Sequence, residues 1–337
     1  MKVAIMSHSL VADRQALFAA ELRFQLERHG GALLEIYPSK WGRLERSGGY
    51  QVAHEGDQTS YTYPPDAWQG IRGWKPDIVL LQQEPYCMVS YQASLFCQRL
   101  GIPYIVFTWE NLMTPQGPGL SVLEGASGII CGNMDARAIV AAALPKWSGV
   151  HAVAPQVGID PVIFCQQYPD AYEPEFDAIF MGRHGESMKG ESVLDEATTG
   201  ASWRIAKGYQ LGFAEYRALP SRYCNARIQV TPSLDVKGRP REQFAPATSV
   251  EGLLCGVPLV TTTQSAIHEW LLGCPGVWFT KPGDAKSLKD GLTSALVDCT
   301  PDGLRRRGRQ AREWARERFT NQVVANLYLQ AFQKVLA

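Results

Sequence analysis

The sequence predicts an α/β protein built from two doubly wound, Rossmann-like domains. Three observations carry this. The chain has 337 residues, long enough that two domains are the default expectation. Short apolar runs alternate with helix-periodic segments from the first residues onward, the pattern of parallel sheets covered by helices. Hydrophobic residues make up 45% and charged residues 20%, proportions that build a folded core.

The first strand is the run at 2–6, with Ser7-His8-Ser9 as its exit loop. Residues 17–26 place apolar side chains at helical spacing, and His29-Gly30-Gly31 stops them. Residues 33–37 form the next strand. No G-x-G-x-x-G follows the first strand, so the dinucleotide fingerprint is missing. Residues 41–65 are rich in Gly and Tyr, with two short strand-like pieces, and read as an insertion. A buried strand at 77–82 leads into Glu84-Pro85-Tyr86. Residues 91–100 are helical, with Gly101 ending them, and 104–107 form a strand leading into Thr108-Trp109-Glu110-Asn111. Helix 120–126, strand 128–131, helix 135–144 and strand 150–155 complete this half. Ligands of open α/β sheets sit at the carboxyl ends of the strands, which is where Ser9, Glu84 and Glu110 stand.

Residues 156–169 read as a linker. The second half opens at Asp177 with a strand at 178–181, followed by strands at 209–213, 228–231, 259–261 and 277–280. Helices at 301–319 and 321–336 end the chain. The expected domains are 1–160, joined by a returning segment at 320–337, and 161–319. The stretch from Arg241 to Thr263, REQFAPATSVEGLLCGVPLVTTT, parses as loop, short helix, turn and buried strand. Thr248 is placed to cap this helix, and Glu251 three residues on completes a capping-box pattern. Gly256 falls just past the helix end, and Pro258 opens the strand. A helix start after a loop offers free N–H groups and a positive dipole end, which suits a phosphate. Ala247, Thr248 and Ser249 would supply those groups, with Glu242 and Glu251 flanking the anion site.

This stretch resembles the signature of the family-4 retaining glycosyltransferases (glycosyl transferases group 1), which have the GT-B fold. There, too, one glutamate opens a loop, a second lies one helical turn in, and a segment like Cys255-Gly256-Val257-Pro258-Leu259-Val260 follows. Phe180-Met181-Gly182-Arg183, then Met188-Lys189-Gly190, are similar to the family's arginine and lysine on the donor diphosphate. Ser265-Ala266-Ile267-His268-Glu269 is similar to its G-A-I-P-E segment, and Val157-Gly158-Ile159-Asp160 to its hinge. In order and spacing the resemblance covers nearly the whole chain and is strongest over 177–280.

The resemblance implies two Rossmann-like domains facing across a cleft, the first holding an acceptor and the second a nucleotide-diphosphate sugar. It implies transfer with retention, no metal requirement and no cofactor beyond the donor. Gly182, Arg183, Lys189, Ala247, Thr248 and Ser249 would hold the diphosphate, and Glu251 the ribose hydroxyls. Glu242 would contact the transferred sugar. The family puts seven residues between its two glutamates, whereas eight lie between Glu242 and Glu251, so strict spacing selects Gln243. The similarity of Glu242-Gln243-Phe244 to the family's E-x-F opening favours a one-residue insertion. Glu110 stands where many relatives place a histidine near the sugar. Ser9, Glu84 and Glu110 form the acceptor or sugar side. The first exit loop lacks the glycine pair often found there, and 191–211 is shorter than the family's usual length.

The remaining features narrow the function classes. The formal net charge is zero, so no global field draws the chain to nucleic acid. The eight cysteines are scattered without a C-x-x-C or Cys/His cluster, which argues against structural zinc and for reduced thiols in the cytoplasm. The first residues are too polar for a signal peptide, and no run approaches the roughly 20 apolar residues of a membrane span. His8, His184 and His268 read as polar loop residues outside any metal-ligand spacing. Arg305, Arg309, Arg312 and Arg316 fall at helical spacing as one basic stripe. It suits contact with anionic lipid or a charged acceptor; the plainer alternative is a solvated face paired with Glu313 and Glu317. Two rivals to transfer stand beside the main reading: a sugar-nucleotide epimerase of the same fold, and a non-catalytic nucleotide-sugar or glycan-binding protein.

Overall fold

The computed structural model describes residues 1–109, 115–145, 149–165, 174–212, 214–235 and 247–337. They fall into two compact units. The first comprises Met1–Gly158 and Asn321–Ala337, the second Ile159–Thr320.

The first unit is built on strands β1 (Lys2–Met6) and β2 (Ala32–Ile36), a small hairpin of β3 (Lys40–Trp41) and β4 (Leu44–Glu45), then β5 (Ile78–Leu81), β6 (Tyr104–Thr108), β7 (Gly128–Cys131) and β8 (Val150–Val153). Its six-stranded sheet runs β2-β1-β5-β6-β7-β8 with every pair parallel. The strands β5, β6 and β7 read IVLL, YIVFT and GIIC, and every residue in them is buried. Such nearly continuous apolar runs are what a parallel sheet covered on both faces requires.

One face is covered by α1 (Asp13–Glu27) and α12 (Asn321–Leu336), where Phe18 and Leu22 meet Tyr328 and Phe332. Core residues of α2 (Pro65–Trp74), α3 (Met88–Leu100), α4 (Pro118–Glu124) and α5 (Met134–Ala143) join the apolar layer on the other. The neighbours of β1 on its two sides, β2 and β5, are reached by connections running in opposite directions. The crevice at the carboxyl ends of β1 and β5 is therefore the switch point of this sheet. The hairpin is tied beside it. Arg46 donates to the Leu10 carbonyl at 2.9 Å, pairs with Glu35 at 2.7 Å and lies over the Tyr37 ring.

The second unit carries β9 (Phe176–Phe180), β10 (Ile205–Lys207), β11 (Ala226–Thr231), β12 (Leu259–Thr262) and β13 (Val277–Thr280) in the order β10-β9-β11-β12-β13, again all parallel. Its switch point lies between β9 and β11. One apolar layer includes α6 (Glu191–Thr198) and α10 (Ala285–Asp298), with Leu194, Leu288 and Leu292 against Phe180, Ile228 and Val230. The other includes α7 (Leu219–Cys224), α8 (Ala247–Leu254), α9 (Ser265–Leu271) and α11 (Pro301–Phe319). Gly308 lets α11 close onto the end of α8, since a Cβ there would fall 2.1 Å from the Gly256 carbonyl oxygen. Side-chain caps start the helices: Gln264 for α9, Asp284 for α10 and Thr300 for α11 each accept from a backbone N–H three residues on. Such a cap stabilises a helix by about 1 kcal/mol.

Two expectations are corrected. The strand read at 209–213 is not formed. β10 ends at Lys207, and Gly208–Leu211 is a single 3-10 turn. The reason lies in its carbonyls: Arg222 collects those of Gly208, Leu211 and Gly212, so they serve a side chain. Phe213 lies outside the described residues. The capping role of Thr248 also fails, because α8 already includes Ala247 and Thr248 lies within its first turn.

Candidate active site

The cations singled out by the sequence occupy the β9 exit, at the switch point of the second unit. Gly182 and Arg183 follow β9, and Lys189 ends a 3-10 turn, Ser187–Lys189, just before α6. The Arg183 side chain is 84% exposed, with Nη1 3.7 Å from Glu186 Oε1. Lys189 is half-buried, and its N–H donates to the Glu186 carbonyl at 2.9 Å. This loop is fastened to the β11 exit: Leu234 N–H donates to the Met188 carbonyl at 2.8 Å, and Gly190 lies against Pro232.

The β11 exit is in turn fastened to α8 and β12 by hydroxyls. Ser249 Oγ lies 3.1 Å from Thr231 Oγ1, which donates to Thr261 Oγ1 at 3.0 Å. Thr262 Oγ1 donates to the Ser233 carbonyl at 2.8 Å. Beneath them the buried Gln229 side-chain amide donates to the carbonyls of Ser249 and Val257, spanning α8 from its first turn to its end. The result is a fixed register between the β9 loop, the β11 exit and α8 at Ser249.

This geometry sorts the expected donor-side residues. Ala247 and Thr248 are half-buried at the first turn of α8. Ser249 is fully buried and its hydroxyl is used by Thr231, so what it has left for an anion is its backbone N–H. Glu251 is also fully buried, and its Oε2 accepts from Tyr223 Oη at 3.0 Å. Glu242, its competitor Gln243 and Glu110 lie outside the described residues.

A cluster that the sequence reading missed braces the β9 loop from the side of β10. Glu191, the first residue of α6, accepts from Tyr209 Oη at 2.5 Å and from Lys207 Nζ at 2.9 Å, and its Oε2 lies 3.0 Å from His184 Nδ1. The Tyr209 hydroxyl above all, with Lys207 and His184, pulls the Glu191 carboxyl down to about 2. Burial works against the Lys207 charge, yet hydrogen bonds to Asp195 and Glu191 hold its ammonium above the usual lysine range.

A carboxyl whose folded pKa lies below its unfolded value near 4.5 contributes stability above that pH and loses it as pH falls toward 2. Glu191→Gln is therefore expected to melt below the wild type at pH 6. The gap should close between about pH 4.5 and 2. Thermal unfolding of both proteins across that range checks this; a gap independent of pH would contradict it.

In the first unit, Ser9 and Glu84 both stand at the β1/β5 switch point. Ser9 Oγ lies 3.3 Å from His8 Nε2, and the Gln83 side-chain amide meets His8 Nδ1. His8 is not the polar surface residue expected. Its ring packs 4.5 Å from Trp41 and edge-on to Tyr61, and burial pushes its pKa below the usual histidine value. Glu84 is buried: Oε2 accepts from Thr108 Oγ1 at 2.6 Å and Oε1 from Trp109 N–H at 2.8 Å, which fixes the β6 exit. On α11, Arg305 pairs with Asp302, Arg312 is half-buried, and Arg309 and Arg316 are exposed. Glu317 pairs with the neighbouring Arg318. Among the described residues no helix is long and apolar enough to cross a membrane, and no three His, Cys, Asp or Glu side chains gather as a metal-holding group.

No family model matches the chain, and no curated protein matches it. Solved structures do. A glycosyltransferase from Rickettsia africae superposes with a TM-score of 0.70 at 13% identity, over 99% of this chain and 98% of that one. The sucrose-phosphate synthase of Thermosynechococcus elongatus gives 0.69 at 15% identity, over 99% of each. The Anabaena protein HepE in complex with UDP-glucose gives 0.68 at 12% identity, over 99% of each. The chain has the GT-B fold, with two Rossmann-like domains.

Proposed function

We propose that the chain is a retaining glycosyltransferase of family-4 type, moving a sugar from a nucleotide-diphosphate donor to an acceptor hydroxyl. The observation that carries this is the β9 loop of the second unit. It sets an exposed Arg183 and a half-buried Lys189 at the switch point, locked by backbone bonds to the β11 loop and through it to the start of α8. Solved structures of the same fold with UDP and UDP-glucose support a nucleotide-sugar donor. In the reaction the bond from the anomeric carbon to the diphosphate oxygen breaks and the diphosphate leaves with the electron pair. The acceptor oxygen bonds to that carbon from the same face, and its proton passes to the departing phosphate. Arg183 grips phosphate oxygens with its planar fork, Lys189 adds a point charge, and the α8 N–H groups complete the cradle.

Glu251 holds the ribose, with the Tyr223 bond fixing its carboxylate, and Glu242 or Gln243 meets the transferred sugar. Ser9, Glu84 and Glu110 belong to the acceptor side, where buried Glu84 acts by fixing the β6 exit. Contact of Arg309 and Arg316 with an anionic surface is a separate proposal. It requires salt-sensitive binding to anionic vesicles.

Incubation with UDP-glucose, UDP-galactose, ADP-glucose and GDP-mannose, scored for free nucleoside diphosphate and for the anomer formed, tests the reading. Release with retained configuration, unchanged by a chelator, is expected, since fixed cations meet the leaving charge. Loss of turnover in chelator restored by magnesium would remove the metal-independent part. Conversion of the sugar with no nucleotide release would favour the epimerase, and binding without turnover a non-catalytic protein.

A further inference from the structure

The donor reading leaves one feature unused. Tyr209 and His184 form an exposed ring pair at the carboxyl ends of β10 and β9, with centroids 4.4 Å apart and planes 33° from parallel. Tyr209 is 37% exposed and the His184 side chain 67%. Exposed aromatic rings are ordinarily loose, yet these are not. One carboxylate, Glu191, holds both, and that carboxylate is itself only 13% exposed and is braced by Lys207. The turn carrying Tyr209 is fixed from its other side by three hydrogen bonds from Arg222 to its carbonyls. A fixed, solvent-facing ring has already lost the freedom that binding would otherwise cost it, so it is prepared for a flat partner. His184 directly follows Arg183, so the rings adjoin the cation assigned to the diphosphate.

A flat group joined to a diphosphate is a nucleobase. Resting on the donor reading above, we propose that Tyr209, backed by His184, is the platform on which the nucleobase of a nucleoside diphosphate stacks. Glu191 is the positioning residue that sets the platform and, through His184, the Arg183 loop together. Stacking on one ring face discriminates weakly among bases, so the platform accepts more than one nucleoside diphosphate, with preference set elsewhere in the loop.

The test is titration calorimetry of UDP, ADP and GDP into the wild type, Tyr209→Ala and Tyr209→Phe, with proton NMR of the base protons of each bound nucleotide. Aromatic stacking contributes about 1–3 kcal/mol per base, or roughly five- to 150-fold in affinity. Tyr209→Ala is therefore expected to weaken the bound nucleotide by at least fivefold and to abolish the upfield shift of its base protons. Tyr209→Phe, which keeps the ring and loses the hydroxyl with its bonds to Glu191 and Gln210, should retain the shift and stay within about threefold of the wild type. Arg183→Ala should weaken binding while keeping the shift. Equal losses in Tyr209→Phe and Tyr209→Ala would mean that the hydroxyl merely braces the loop, and would overturn the stacking proposal. Unchanged affinity in Tyr209→Ala would also overturn it while leaving the donor reading intact. A wild type that binds none of the three nucleotides would overturn both.

Discussion

Arg183→Ala and Lys189→Ala are each expected to lower the transfer rate by about a hundredfold to a thousandfold, the usual effect of removing one preorganised donor to developing charge. For Arg183→Ala, stability should hardly change. Arg183 is 84% exposed, and its pairing with Glu186 at 3.7 Å is a surface i,i+3 pair of the kind that contributes well under about 1 kcal/mol. Lys189 sits in a turn closed by backbone bonds, Lys189 N–H to the Glu186 carbonyl and Gly190 N–H to the Ser187 carbonyl, and truncating its side chain leaves both in place. The melting temperature of Arg183→Ala should therefore stay within about 1–2 °C of the wild type, since 1 kcal/mol shifts a domain of this size by roughly 2–4 °C. The double variant should still bind nucleoside diphosphate weakly through the α8 N–H groups. Normal melting with near-normal transfer in the double variant would place the diphosphate elsewhere and remove the basis of the proposed function.

That these two cations were readable before folding, and the cluster beside them was not, has a physical cause. Arg183 lies three residues past an apolar strand and Lys189 two residues before the next helix, so local pattern and spacing suffice to put both in the loop between them. The strands IVLL, YIVFT and GIIC are legible for the same reason, because burial on both faces makes them almost wholly apolar, with Thr108 at the exit of β6 the polar exception. Glu191 gave no such signal. Its donors Lys207 and Tyr209 lie 16 and 18 residues downstream and reach it only once β10 pairs with β9.

A different non-local contact displaced the strand expected at 209–213, where Arg222 claims the carbonyls that a ladder would need. His8 was misread for a parallel reason. The rings that bury it, Trp41 and Tyr61, belong to the hairpin and the loop after it, and nothing around Ser7-His8-Ser9 announces them. Glu251 shows the opposite case: its place one turn into α8 was legible, but its full burial against Tyr223 was not, since α7 is brought there by the crossover from β10 to β11.

Gly190→Ala is expected to cost about 2–5 kcal/mol of stability, a large share of the roughly 5–15 kcal/mol that holds a domain folded. Two costs combine. Gly190 has φ of +71°, a left-handed conformation that disfavours a residue with a Cβ by about 1–2 kcal/mol. The added Cβ would also fall 1.9 Å from the Pro232 carbonyl oxygen, a backbone atom that no rotamer change can move aside. Overpacking of this kind costs roughly 1–3 kcal/mol. Relief requires the β11 exit to shift. That exit is pinned by Leu234 N–H on the Met188 carbonyl and by Thr262 on the Ser233 carbonyl, so movement there breaks the register joining the β9 loop to α8. Nucleotide affinity should therefore fall with stability. Gly200→Ala isolates the first cost, because Gly200 has φ of +74° with nothing within 4 Å of the added Cβ. Urea unfolding should place Gly200→Ala about 1–2 kcal/mol below the wild type. Gly190→Ala should fall lower still, with weakened nucleotide binding that Gly200→Ala does not share. Equal stability and equal binding in the two variants would show that the β11 exit yields freely, and that the register between the β9 loop and α8 is not what sets the anion site.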